Sequence, residues 1–214
     1  MTGLVIGIDV QAARGCPFAV VDESSRMIDA GWIPTTQLAA SVQDLATRFR
    51  SAIFAIDAPR MPLVTPRDWY WRKGEWSRRT NHEKGNGRHC EVVIAAHRLA
   101  NPQWTPLAAT APAWMQHGFS IFAALQGRAE CLEVFPSASY RMLNGSHDIR
   151  IDITLAEFAP GPKDMLDAVV AARTALEYIR GRGQEIGGGD GLGTIVLPRR
   201  IDAPIAEVMQ WPGS

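Results

Sequence analysis

The chain has 214 residues, 46% of them hydrophobic, enough for one substantial core or for one domain carrying an insertion. Its formal charge is +0, so the molecule as a whole has no electrostatic signature of a polyanionic partner. No run approaches ~18 apolar residues and no basic region precedes the first one, which argues against a membrane span and a signal peptide.

The opening apolar run, Leu4 to Ile8, ends in a carboxylate, Asp9. Cys16 to Val21 is a second short apolar run, and Asp22-Glu23-Ser24-Ser25 supplies turn chemistry before Arg26 to Ile33 returns as a third. Connections this short predict an antiparallel meander. Leu38, Val42, Leu45 and Phe49 fall at helical spacing and lead into Ala52 to Ile56, which again ends in a carboxylate, Asp57. A helical crossover places this fourth strand parallel to a neighbour, the first strand. Asp9 and Asp57 are then expected at the same edge of two adjacent strands.

Residues 60–88 are irregular, with Pro62, Pro66 and glycines at 74, 85 and 87, and read as an insertion. Eight Lys or Arg against Asp68, Glu75 and Glu83 give this segment +5, leaving −5 for the rest. Trp69, Tyr70, Trp71 and Trp76 interleave with Arg67, Arg72, Lys73, Arg78 and Arg79, and Arg88 closes the segment. Aromatic faces stack on bases while cations follow phosphates, so these residues make a candidate single-strand tract. The plainer alternative is that the tryptophans pack on their own domain and the charges stay in solvent.

Helices are expected over about 88–99 and 113–126, then a fifth strand from Leu132 to Pro136 carrying Glu133. A long helix runs from Pro162, suited to a first helical turn, to Gly181. On its wheel, Arg173, Glu177 and Arg180 share a side predicted to face water. Asp164 and Asp167 share the opposite side with Ala168, Ala171 and Ala175, small residues that allow close approach to a sheet. Glycines 187–189 precede a last strand, Thr194 to Leu197, and read as a turn rather than a phosphate loop, since no Lys-Ser/Thr follows. No repeat or interdomain linker separates two cores, so residues 1–214 are expected to form a single domain.

Four acids converging at one sheet edge would repel and raise one another's pKa values. A hard divalent cation such as Mg²⁺ or Mn²⁺ relieves that repulsion. Taken singly, each has an ordinary alternative: Asp9 and Asp57 as turn caps, Asp164 and Asp167 as first-turn acids on a helix dipole. Cys16, Cys90 and Cys131 have no zinc spacing and suit a reducing, cytoplasmic setting. The histidines at 82, 89, 97, 117 and 147 form no metal spacing either, and His97 reads as a helix-end residue.

Several short stretches together resemble the ribonuclease H-like superfamily, and more closely domain-of-unknown-function family 429, whose members are predicted nucleases. They are Val5 to Asp9, Ala55 to Pro59, Gly87-Arg88-His89-Cys90-Glu91, Glu133 to Pro136, Asp164 to Ala168 and Gly193 to Pro198. The resemblance implies an α/β fold, a mixed five-stranded sheet flanked by helices, with the insertion after strand four. Holliday-junction resolvases of the RuvC type share the carboxylate plan, which carries over to Asp9, Asp57, Asp164 and Asp167, with Glu133 joining from the family's own motif. Two departures stand out: Ala96-His97 follows where the family often has a basic residue, and the Trp-rich insertion has no counterpart.

The expected function is therefore a metal-dependent nuclease. Two Mg²⁺ or Mn²⁺ ions about 3.5–4 Å apart would activate water and stabilise the leaving oxygen. Asp9, Asp57, Asp164 and Asp167 are the expected ligands, and Glu133 an outer ligand or water-positioning base. Two alternatives stay open. One is an inactive nucleic-acid-binding module of the same fold. The other is a protein of the actin-like ATPase or sugar-kinase lineage, for which Gln11 to Gly15 is a poor phosphate hairpin.

Overall fold

The computed structural model describes residues 3–143 and 162–213. The chain opens with β1 (Val5–Asp9), β2 (Cys16–Val21) and β3 (Met27–Ile33), the expected antiparallel meander. Helix α1 (Leu38–Arg48) buries Leu38, Val42 and Leu45, then returns the chain to β4 (Ile53–Asp57), parallel to β1. A hairpin of β5 (Trp69–Arg72) and β6 (Glu75–Arg78) follows. Lys73 and Gly74, both at positive φ, form its two-residue turn, the conformation that tight hairpins favour. The insertion thus has regular structure that the sequence reading did not anticipate.

Helices α2 (His89–Ala96) and α3 (Ala113–Leu125) lead to β7 (Cys131–Glu133), which adds parallel to β4. The fifth strand is shorter than expected, because Pro136 begins a helix, α4 (Pro136–Leu143). Helix α5 (Pro162–Ile179) and the hairpin β8 (Gln184–Gly187) and β9 (Thr194–Leu197) complete the fold. The result is α/β with a mixed five-stranded sheet of order β3-β2-β1-β4-β7. Val196 of β9 makes a further parallel bridge to Val134, beyond the end of β7.

Strand alternation divides the core into two layers. Ile6, Ile8, Phe18, Phe54 and Ile56 pack on one face against Val42, Leu45, Ile121 and Leu125 of α1 and α3. Val5, Ala19, Ala55 and Leu132 pack on the other against α5. Helix α5 lies unusually close to the sheet there. A Cβ on Gly7 would stand 1.9 Å from the carbonyl oxygen of Ala168, so only glycine permits this approach. The alanine stripe of α5 therefore works as predicted and carries the helix's first turn to the end of β1.

One expectation about α5 is overturned. Glu177 is 1% and Arg173 8% exposed, rather than facing water. Arg182 and Arg199 come from segments flanking the β8–β9 hairpin and fold over that side of the helix. A helical wheel shows which residues share a side but not what later chain covers it. Among the described residues, no helix is long and apolar enough to cross a membrane.

Candidate active site at the sheet edge

The parallel register of β1 and β4 pairs Asp9 with Asp57, so two strand-end carboxylates stand side by side. Asp9 is 6% exposed and accepts a hydrogen bond from Gln11 Nε2 at 2.5 Å. Asp57 is half-buried and faces the cavity described below. From α5, Asp167 accepts from the Tyr140 hydroxyl at 2.8 Å and from Lys163 Nζ. Asp164 is held in an ion pair by Arg14 Nη2 at 2.9 Å.

The electrostatics follow from this crowding. Burial first, then Asp167 and Asp164, push the Asp9 carboxyl up from 3.8 to about 7, against the opposing hydrogen bond from Gln11. Burial, then Asp9, Asp167 and Glu133, hold Asp57 well above the usual carboxylate range. Lys163 is a compensating cation that lowers both. Its own pKa is raised, first by its hydrogen bond to Asp167. Burial and mutual repulsion together therefore disfavour full ionisation of the cluster.

Glu133 lies at the same edge but is engaged differently. Arg88 grips it with both Nη atoms, one at 2.8 Å, and the Arg60 backbone N–H donates to it at 2.8 Å. The same guanidinium donates from Nε and Nη2 to Glu91 Oε1, each at 3.0 Å. Glu91 reaches back to the Arg88 backbone N–H at the start of α2, which is one half of a capping box, and also accepts from the Thr105 backbone N–H at 2.9 Å. One buried cation thus holds two buried carboxylates. A cavity of about 330 Å³ joins the two groups, lined by Asp9, Asp57, Glu91, Glu133, Arg88 and Trp114 among others.

The basic insertion proves less open than its composition suggests. Arg67 lies between the rings of Tyr70 and Trp104, 4.2 and 4.7 Å from their centroids. Arg72 pairs with Glu83, and Arg78 stacks 4.1 Å over Trp69. Trp71 meets Trp76 edge-on at 5.4 Å, and Trp76 meets Trp211 at 5.2 Å while its Nε1 donates to the Glu207 carbonyl. Lys73, Arg78 and Arg79 remain exposed. Arg88, expected to contact nucleic acid, is instead 1% exposed, because Glu91 and Glu133 take up its charge inside the protein.

The structure thus brings Asp9, Asp57 and Asp167 together, sets Asp164 beside Arg14, and places Glu133 across the same cavity. Among the described residues, no three His, Cys, Asp or Glu side chains stand as a ready metal-binding group. Sequence reasoning missed Tyr140, Lys163, Gln11 and the role of Glu91. Tyr140 gave no signal, since α4 itself was not anticipated. His97 caps α2 as expected, and His147 lies outside the described residues. The glycine segment is a hairpin loop, and Asp190 within it accepts from the His89 backbone N–H at 2.7 Å, tying the loop to α2.

No family model matches the chain, and neither a curated protein nor a solved structure matches it.

Proposed function

We propose that this chain is a ribonuclease H-like, divalent-metal-dependent nuclease that hydrolyses phosphodiester bonds at the Asp9–Asp57–Asp167 edge. The observation that carries this reading is the register that sets Asp9 beside Asp57 with Asp167 close by; burial first, then their mutual repulsion, pushes Asp9 up to about 7 and Asp57 well above its ordinary range. Hard cations favour oxygen donors, so the donor set fits Mg²⁺ or Mn²⁺ in kind and in charge. Asp9 and Asp57 would hold the metal from the strand ends. Asp167 and Asp164 would join from α5 once Lys163 and Arg14 give way. Bound metal of this type supplies a water of lowered pKa and charge stabilisation at the leaving oxygen.

The protein's own groups complete the arrangement. Gln11 orients the Asp9 carboxylate through its 2.5 Å hydrogen bond, and Tyr140 orients that of Asp167. Arg88 fixes Glu133 and Glu91 in the cavity wall, where Glu133 would position water. Trp114 gives the cavity an aromatic surface on which a base can stack. The exposed Lys73, Arg78 and Arg79 would follow the backbone of a nucleic-acid strand. The cysteines Cys16, Cys90 and Cys131 are all free, which suits a cytoplasmic protein.

A second reading has its own observation. Arg14 and Lys163 already occupy Asp164 and Asp167, which favours a nucleic-acid-binding module of the same fold without catalysis. Calorimetric titration with Mn²⁺, paired with a cleavage assay on single- and double-stranded oligonucleotides, separates the two. Nuclease function predicts saturable binding and cleavage, both lost in Asp9→Asn. Oligonucleotide binding with neither metal heat nor cleavage supports the module.

A further inference from the structure

We propose that the cavity beside Asp9 and Asp57 receives one unpaired nucleobase, so that the substrate of this edge is nucleic acid with an unpaired nucleotide at the scissile phosphate. The inference rests on the nuclease reading for the phosphate, and on the cavity itself for the base. The cavity holds about 330 Å³, near the lower end of the ~300–1,000 Å³ typical of small-molecule sites. Asp9 and Asp57 line it together with Trp114, Gln103, Pro59 and Phe135. A phosphate held at the carboxylates therefore shares one cavity with an aromatic ring and a carboxamide.

That lining suits a base better than a second phosphate. Arg88, the cation in the wall, is 1% exposed and is taken up by Glu91 and Glu133, so its charge is not offered to an anion. Trp114, in the first turn of α3, packs partly on the core beneath and also lines the cavity, so its ring is held in place while remaining accessible. A ring already held loses little freedom on binding, and stacking accepts any base. Gln103 is exposed in the link between α2 and α3 and brings a carboxamide that both donates and accepts, matching the mixed pattern of a base edge. Inside a duplex, a base has both faces covered by its neighbours and cannot reach a ring in a recess. An unpaired base swung out of the stack can.

The test has two arms. In chelator, the full chain is titrated calorimetrically with the common nucleosides, which carry no phosphate and so read the pocket without metal. Saturable binding of at least one is expected, weakened roughly tenfold or more in Trp114→Ala and retained in Trp114→Phe, as stacking requires. Gln103→Ala should weaken it about two- to tenfold, as for loss of one hydrogen bond, and carries the test if Trp114→Ala does not fold. In Mn²⁺, cleavage is compared between a fully paired duplex and the same duplex with one unpaired nucleotide. Cutting at the unpaired nucleotide is expected to be faster by roughly tenfold or more, since a paired base must first leave the stack. Equal cutting of both duplexes, no saturable nucleoside heat in the wild type, or undiminished binding in the folded alanine variants overturns the proposal. Nucleoside binding without cleavage of either duplex upholds the base pocket and counts against the nuclease reading instead.

Discussion

Gly7 lies directly beneath Ala168, so close that a Cβ at position 7 would reach 1.9 Å from the Ala168 carbonyl oxygen and 2.6 Å from the Ala172 nitrogen. This contact, two residues before Asp9 and one after Asp167, sets the distance between the strand-end and helix carboxylates. Gly7→Ala must therefore push α5 off the sheet. Overpacking of a core costs ~1–3 kcal/mol, and the backbone clash here puts the variant at or above that range. Urea unfolding should show the lower midpoint, and any metal-dependent activity should fall further than stability alone explains. An unchanged midpoint would mean that α5 docks less tightly than described.

Asp9 links stability to pH. Its folded pKa is about 7 against an ordinary 3.8, so the folded state holds the proton more tightly than the unfolded chain does. Stability is then greatest below about pH 4, as far as this group is concerned, and is lost as pH rises towards 7. At ~1.4 kcal/mol per pH unit, a window from 3.8 to about 7 corresponds to about 4 kcal/mol. Asp9→Asn removes the penalty and should be more stable than wild type at pH 8, with the difference shrinking near pH 4. Melting curves across that range check it, and a less stable Asn variant at pH 8 would contradict the burial-and-repulsion account.

Arg88 is a buried cation between two buried carboxylates. Arg88→Met leaves Glu91 and Glu133 without it, and removing one partner of a buried ion pair costs about 3–5 kcal/mol. Adding Glu133→Gln to that variant should recover part of the loss, because one orphaned charge disappears. Denaturant midpoints of the single and double variants measure this coupling. Strict additivity would show that the pair does not interact.

In the insertion, packing and surface charge can be separated. Trp76 rests on Trp71, Trp211 and the Glu207 carbonyl, so Trp76→Ala should lower stability rather than selectively weaken ligand binding. Lys73, Arg78 and Arg79 are exposed, and replacing all three by Ala should flatten the log–log salt dependence of single-strand binding by about 2, at about 0.7 per phosphate contact. An unaltered slope would leave the hairpin as a solvated surface element.

The features legible in the sequence are those set by local periodicity and short connections. The run ending in Asp9, the run ending in Asp57 and the helix between them dictated the parallel register that pairs the two acids. The alanines of α5 announced its buried side and the orientation of Asp164 and Asp167. What the sequence did not reveal depends on partners distant along the chain. Trp76 finds Trp211, Arg67 finds Trp104, and Glu177 is covered by Arg182 and Arg199. Each looks like a surface residue until the later segment is in place. Glu133 was legible as a buried acid, but its Arg88 partner, 45 residues earlier, was not.

The central claim is that the acidic edge holds a divalent cation, and a crystal soaked in Mn²⁺ and measured for anomalous scattering tests it most directly. The account predicts a peak within coordination distance of Asp9 and Asp57, with Lys163 displaced from Asp167. A cluster free of anomalous density at saturating Mn²⁺, with Lys163 still bound to Asp167, would contradict it.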